Sequence, residues 1–150
     1  MKTVHDVLKG KEPEGQEGTI YSIAPNDSVF HAIESMAHRG VGALLVMQEE
    51  QLIGIISERD YARKVILKGK SSKQTPVSTI MTTQVVTVPL IETVDACMRL
   101  MRQHHIRHLP VVNKKQVIGM VSLRDLMSVT IAEQASTINQ LEHYIRGEVG

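Results

Sequence analysis

The 150-residue chain has no tryptophan, one phenylalanine and three tyrosines, so its hydrophobic core cannot be built on aromatic side chains. That core must instead use valine, isoleucine, leucine and methionine, and the eight methionines make it adaptable. The single cysteine, Cys97, excludes an intramolecular disulfide, and its helical setting predicts a packed thiol. The formal net charge is only +1, which does not favour a general polyanion-binding role, so we expect no nucleic-acid partner.

Long hydrophobic runs are also missing. No stretch approaches the roughly 18 apolar residues of a membrane-spanning helix, and the first residues lack the apolar segment of a signal peptide. These absences predict a cytoplasmic protein with no membrane partner. Catalytic motifs are equally scarce, because the chain has no P-loop, no Gly-x-Ser-x-Gly and no twin-carboxylate pattern. We therefore do not expect an enzyme.

The chain does contain an internal repeat. A shift of 65 positions places Ile53-Gly54 on Ile118-Gly119, and Ser57-Glu58-Arg59-Asp60 on Ser122-Leu123-Arg124-Asp125, without a gap. One supersecondary unit therefore occurs twice. A unit of roughly 60 residues buries too little surface to be stable alone, so the two copies should pack on each other.

Hydrophobic periodicity gives each copy the order strand, helix, strand, strand, helix, which predicts an α+β fold. The elements predicted for the first copy are 20–23, 28–39, 43–47, 52–56 and 58–67. Those predicted for the second copy are 85–88, 93–104, 108–112, 117–121 and a helix from residue 123. The domain prediction is a first repeat over 1–68 with a loop insertion at 9–18, a linker at 69–76, a second repeat over 77–130 and a helical tail over 131–150.

The tail has a narrow apolar stripe. Ile131, Ile138 and Ile145 recur every seven residues, with Leu141 between them. This spacing suits packing against another helix, either in the same chain or in a second copy. Both interpretations fit the sequence.

A Ser-x-x-Asp motif ends each copy, at Ser57 and Asp60 and again at Ser122 and Asp125. At the start of a helix this pattern resembles a capping box, whose cap is worth about 1 kcal/mol. The same residues could also bind a ligand, because a serine hydroxyl can meet a phosphate or ribose oxygen and an aspartate can accept two hydrogen bonds from a ribose diol. The two roles are compatible.

The order of these pieces resembles the cystathionine β-synthase (CBS) domain, here as the tandem pair called a Bateman module. The resemblance extends from Val4 to Asp125. Its marks are a short helical lead-in at 4–8 and 77–81, an Asp-Ser-Val or Glu-Thr-Val helix start, Leu-Pro-Val-Val at 109–112, and the Gly-x-x-Ser-x-x-Asp ending of both copies. The resemblance implies two βαββα repeats packed about a pseudo-twofold axis, followed by a C-terminal helix.

The resemblance also implies two clefts for adenosine-containing ligands. The predicted main cleft contains Thr19, Ile23, Ala24, Arg107, His108, Pro110, Ser122 and Asp125. The predicted second cleft contains Ser57, Asp60, Gln84, Val88 and Pro89. We rank the Asp125 cleft first because Arg107-His108 would face phosphate, whereas the first copy has Gly42-Ala43 at this position. The Asp60 cleft is then expected to be weaker, or to share Arg107 across the axis.

The resemblance predicts a regulatory ligand-sensing module. AMP, ADP, ATP, NAD and S-adenosylmethionine share the adenosine, and the sequence does not choose among them. The module is expected to be a homodimer that signals to an unknown effector protein. The alternative is a protein-interaction scaffold of the same fold without a nucleotide, and a nucleotide hydrolase using His108 as base ranks last. No metal site is expected at His104-His105-x-x-His108, because adjacent helical histidines point about 100° apart.

Overall fold

The computed structural model of the chain describes residues 1–11 and 20–147. Its helices are α1 (Val4–Lys11), α2 (Val29–Arg39), α3 (Glu58–Tyr61), α4 (Val94–His104) and α5 (Leu123–Ile145), with a π-helical segment at Ala62–Ile66 and a 3-10 turn at Val77–Thr79. Its strands are β1 (Ser22–Ile23), β2 (Ala43–Gln48), β3 (Gln51–Ser57), β4 (His108–Asn113) and β5 (Gln116–Ser122). The predicted α+β fold with a C-terminal helix is confirmed.

The two hairpins repeat each other in detail. Strands β2 and β3 pair antiparallel, as do β4 and β5, and each ladder has one register shift, after Val46 and after Val111. Both two-residue turns, Glu49-Glu50 and Lys114-Lys115, have positive φ at each residue. Such turns match the right-handed twist of the flanking strands.

The first strand of each copy is shorter than predicted, and in the second copy it is reduced to one bridge. Strand β1 pairs parallel with β2, and Leu45 N donates to Tyr21 O at 3.1 Å. The residue in the place of Leu45 is Pro110, which has no N–H to donate. Only the bridge between Val88 and Val111 remains in place of the predicted strand 85–88.

Two predicted helices also differ from the structure. The segment predicted as one helix at 58–67 is the short α3 followed by the π-helical Ala62–Ile66. The predicted tail is not a separate element, because α5 continues unbroken from Leu123 to Ile145. Helices α2 and α4 begin one residue later than predicted, since Ser28 and Thr93 cap them with their side-chain oxygens.

The lead-in of each copy packs on the core of the other copy. Val4 and Val7 of α1 are buried with Leu109 and Leu126, whereas Val77 and Ile80 of the second lead-in are buried with core residues of the first copy. Backbone hydrogen bonds join each lead-in to the other copy at corresponding positions. Val4 N donates to Glu92 O at 2.8 Å, and Val77 N donates to Asp27 O at 2.8 Å. Neither 1–68 nor 77–130 therefore encloses its core alone.

Two smaller predictions concern residues near these cores. Cys97 is fully buried, and burial, with the nearby Glu92 carboxylate, raises the pKa of its thiol to about 11, which confirms a packed thiol. The loop predicted at 9–18 is wrong for Lys9 to Lys11, which form the last turn of α1. Residues 12–18 lie outside the described residues.

Candidate ligand-binding site

Both Ser-x-x-Asp motifs form complete capping boxes at helix starts. In the first, Asp60 N donates to Ser57 Oγ at 3.2 Å and Ser57 N donates to Asp60 Oδ2 at 3.0 Å. In the second, the corresponding distances between Ser122 and Asp125 are 3.1 and 2.8 Å. The capping role is therefore present in both copies, and it fixes each carboxylate in place.

An open cleft of about 870 Å³ lies against Asp60, within the range of small-molecule sites. The first copy contributes Gly42, Ile55, Ser57, Glu58, Arg59, Asp60, Arg63 and Lys64. The chain beyond the second lead-in contributes Thr82, Gln84, Val85, Val86, His104, His105, Ile106, Arg107 and His108. The cleft therefore lies between the two copies, and we call it the Asp60 cleft.

The wall of the Asp60 cleft is cationic on balance. Its permanently charged cations are Arg59, Arg63, Lys64 and Arg107, and its acids are Glu58 and Asp60. Three histidines stand beside them, at positions 104, 105 and 108. Four cations against two carboxylates favour an anionic ligand, since like charges in a concave site add their fields.

Two cationic side chains are already positioned by hydrogen bonds. Lys64 Nζ lies 3.0 Å from Asp60 Oδ1 and donates to Ile80 O at 2.9 Å. Arg59 Nη1 donates to His105 O at 3.2 Å. Lys64 thereby connects the helix of the first copy to the second lead-in, and Arg59 connects it to the end of α4.

The carboxylate of Asp125 has a different partner. Lys11 Nζ donates to Asp125 Oδ2 at 2.8 Å and to Met120 O at 2.9 Å. Burial alone would raise the pKa of Asp125, but the hydrogen bonds from Lys11 and Ser122 outweigh it and hold that pKa below its ordinary value. The side chain that faces Asp125 therefore comes from α1, 114 residues away in sequence.

The structure brings together only some of the residues predicted for each cleft. Ser57, Asp60 and Gln84 share the Asp60 cleft, but Val88 is buried in the core and Pro89 is not part of the wall. Arg107 and His108, predicted for the Asp125 cleft, line the Asp60 cleft, and His108 also interacts electrostatically with Asp125.

The other residues predicted for the Asp125 cleft differ in burial. Ile23 is buried in the core of the first copy, whereas Ala24 is exposed. Pro110 is buried, and its carbonyl accepts a hydrogen bond from Val88 N at 3.0 Å. Thr19 lies outside the described residues.

His108 is part of the Asp60 cleft and also senses the charges near Asp125. It lines the Asp60 cleft, and it also interacts electrostatically with Asp125 and Lys11. Burial lowers the pKa of His108, the Asp125 carboxylate opposes that shift, and Lys11 and Arg107 add to it. The imidazole therefore favours its neutral form.

Several wall residues were absent from the predicted sets. Lys64 could have been found from its spacing, because it stands four residues after Asp60 in the segment predicted as one helix at 58–67. Ile55 could have been found from the alternation of strand side chains, since it precedes Ser57 by two. Thr82, Val85 and Val86 follow the second lead-in, and no local pattern marks them as wall residues.

Two negative findings apply to residues 1–11 and 20–147. None of the helices there combines the length and the apolar character needed to cross a bilayer. Within the same ranges, no three His, Cys, Asp or Glu side chains are grouped so that they could hold a metal ion.

Comparison with known proteins gives consistent results. The sequence model of the CBS domain matches residues 19–67 and 77–131. The chain is 39% identical over 150 residues to the CBS domain-containing protein CBSX3, mitochondrial, of Arabidopsis thaliana, which covers 97% of this chain and 72% of that protein. Because that relative is named as mitochondrial, the cytoplasmic location stays a prediction.

Solved structures share the fold. A putative signal-transduction protein with CBS domains from Burkholderia ambifaria is 46% identical, with a TM-score of 0.84 over 89% of this chain and 96% of its own. The CBS domain pair of protein MJ0100, in complex with 5′-methylthioadenosine and S-adenosyl-L-methionine, is 25% identical, with a TM-score of 0.76 over 89% of this chain and 98% of its own.

Proposed function

The chain belongs to the CBS domain family, and we propose that it is a regulatory module that senses a phosphate-bearing adenosine nucleotide in the Asp60 cleft. The observation that carries the proposal is the combination of a fixed carboxylate and an excess of cations around one open cleft between the copies. The adenosine ligands bound to the MJ0100 pair support an adenosine ligand here.

The wall residues suggest separate roles for the two ends of the ligand. The Asp60 carboxylate would accept hydrogen bonds from the ribose diol, with Ser57 holding it in place. Ile55, Val85 and Val86 supply apolar surface for the adenine. Arg59, Arg63 and Arg107 would then pair with the phosphates, since guanidinium groups bind phosphate oxygens in a bidentate manner.

The charge of the wall bears on the ligand class. AMP, ADP, ATP and NAD are anions, whereas S-adenosylmethionine carries a positive sulfonium. Four cations against two carboxylates favour the anions, and favour most those with the largest net negative charge. We therefore place ATP and ADP ahead of AMP and NAD, and S-adenosylmethionine last.

The contacts across the cleft offer a route from binding to signalling. Arg59 and Lys64 already connect the first copy to His105 and Ile80 of the second. A ligand that pairs with these cations would change those contacts and shift the relative position of the copies. We propose that a separate effector protein recognises the new position and that the module works as a homodimer.

A thermal-shift panel tests the ligand class. Wild-type protein, refolded to remove carried-over nucleotide, is melted with each of the five ligands. A ligand at about 100 times its Kd adds about 2.7 kcal/mol, which raises the Tm of a chain of this length by about 5–10 °C. We expect ATP and ADP to give the largest shift and Asp60→Asn to reduce it to about half or less. A panel in which no ligand shifts the Tm would favour the scaffold.

A further inference from the structure

The two aspartates of the repeat face different groups from the two lead-ins. Lys11 comes four residues after Val7 in the first lead-in, as Gln84 comes four residues after Ile80 in the second. Gln84 lines the open Asp60 cleft, whereas Lys11 is bonded directly to Asp125. Corresponding positions therefore differ between the copies: Gln84 is a neutral residue of a cleft wall, whereas Lys11 is the charged partner of a carboxylate.

Lys11 is held in this position by the helix that carries it. Val4 and Val7 of α1 are buried in the core of the second copy. Leu8 packs so closely over Gly119 of β5 that a Cβ there would lie 3.1 Å from Leu8 Cδ2. Because α1 is fixed on β5, its last residue reaches both Asp125 Oδ2 and Met120 O.

The ammonium of Lys11 satisfies the group on which a ribose would depend. Asp125 Oδ2 accepts hydrogen bonds at 2.8 Å from Lys11 Nζ and at 2.8 Å from Ser122 N. A ribose diol that binds the same carboxylate must compete with a charge-assisted hydrogen bond, which is about twice as strong as a neutral one. Displacing Lys11 also breaks its bond to Met120 O.

We propose that Lys11 is an internal occupant of the Asp125 cleft, so that nucleotide fills the Asp60 cleft first and reaches Asp125 only by displacing Lys11. This inference rests on the proposed function, because the competing ligand is the same nucleotide. Its consequence is an order of filling: one cleft responds at low nucleotide concentration, and the other at high concentration. Binding at the Asp60 cleft would leave the last turn of α1 in place. Binding at Asp125 would release Lys11 and so free that turn.

Lys64 does not give the Asp60 cleft the same protection. Like Lys11, Lys64 has two partners, Asp60 Oδ1 and Ile80 O, but it belongs to the cleft wall that also holds Arg59 and Arg63. A phosphate entering that wall offers Lys64 a new partner within the same cleft. Lys11 is not among the residues of that wall, so the same phosphate offers it no new partner.

The test is isothermal titration of ATP into wild type, Lys11→Gln and Lys9→Gln. Lys11→Gln gives the first lead-in the residue that Gln84 provides in the second, and Lys9→Gln removes a charge from the same helix end. We expect a second site in wild type that is at least tenfold weaker than the first. Lys11→Gln should strengthen the second site about three- to tenfold and leave the first unchanged, since a partly exposed ion pair is worth little more. Lys9→Gln should behave as wild type.

The remaining outcomes separate this inference from the proposed function. If wild type binds at the Asp60 cleft but Lys11→Gln leaves the second site unchanged or weaker, the proposed function stands and the role of Lys11 is overturned. If wild type binds no nucleotide in this titration, the proposed function fails. Binding that is gained only in Lys11→Gln, and lost again with Asp125→Asn, would then still support the inference, whereas no binding in either protein would overturn it.

Discussion

Arg59 donates from Nη1 to the carbonyl oxygen of His105 at 3.2 Å, and so ties the start of α3 to the residue that ends α4 in the other copy. His105 has the left-handed conformation, with φ of 54°, which turns the chain at this point toward β4. Arg107 and His108 follow directly and line the same cleft. The Arg59 side chain thus connects the part of the cleft wall that contains Asp60 with the part that contains Arg107 and His108.

Replacing Arg59 with glutamine should weaken nucleotide binding about three- to tenfold, because the cleft loses a cation and the bridge to His105. Stability should change by less than about 1 kcal/mol, since the side chain is exposed. Isothermal titration with ATP and urea unfolding measure the two effects. Arg124→Gln is the matched control, because Arg124 holds the corresponding place in the second copy. Equal losses of affinity in both variants would contradict the bridging role.

Two glycines allow the lead-ins to lie close against the hairpins. A Cβ at Gly54 would lie 2.7 Å from Met81 Sδ and 3.0 Å from Thr82 O, whereas at Gly119 the nearest atoms belong to the tip of Leu8. Gly54→Ala should therefore lower the free energy of unfolding by about 1–3 kcal/mol. Gly119→Ala should cost less, because the end of a leucine side chain can move and the Thr82 backbone cannot. Urea unfolding of both variants checks this order, and a larger loss for Gly119→Ala would refute it.

The protonation of His108 should report on the surrounding charges. Its pKa lies below the ordinary 6.5 because burial disfavours the imidazolium. The stability that this group contributes is therefore present above pH 6.5 and is lost as the pH falls toward its folded pKa. Lys11→Gln removes a nearby cation and should raise the pKa of His108. An NMR titration of the ring Cε1–H measures the pKa in wild type and in Lys11→Gln, and a wild-type midpoint above 6.5 would be inconsistent with the half-buried position of His108.

The exposed stripe of α5 should support self-association. Ile131, Ile138, Leu141 and Ile145 are each more than half exposed, at 61%, 57%, 56% and 81%. Ile138→Lys places a charge in the middle of the stripe and should convert a dimer to a monomer. Light scattering during gel filtration gives the mass, with Gln140→Lys on the opposite side of the helix as control. A monomeric wild type, or a dimer that persists in Ile138→Lys, would exclude the stripe as the dimer contact.

Much of the fold was predictable because it depends on local patterns and on the repeat. Alternating strands, capped helices and two matching turns all follow from residues close in sequence. The shortened strand near Val88 was also predictable, since Pro110 stands where Leu45 donates a hydrogen bond. The π-helical segment after α3 follows from no local signal that we recognise.

The candidate site was less predictable, because its decisive contacts join distant segments. Lys11 and Asp125 are 114 residues apart, and Arg59 and His105 are 46 apart. No spacing rule connects such pairs, and the repeat gives both copies the same Ser-x-x-Asp motif. The exchange of lead-ins between the cores decides which residues meet. Asp60 is paired with Lys64 of the open cleft wall, whereas Asp125 is paired with Lys11 of α1.

The most direct measurement of the central claim is the affinity of ATP for wild type, Asp60→Asn and Asp125→Asn by isothermal titration. Asparagine keeps an oxygen that can accept the cap hydrogen bond, so both variants should fold, and circular dichroism checks this. We predict that Asp60→Asn lowers the affinity of the tighter site at least tenfold and that Asp125→Asn leaves it unchanged. Loss of the tighter site in Asp125→Asn, with Asp60→Asn unaffected, would contradict the account and move the sensing cleft to the other aspartate.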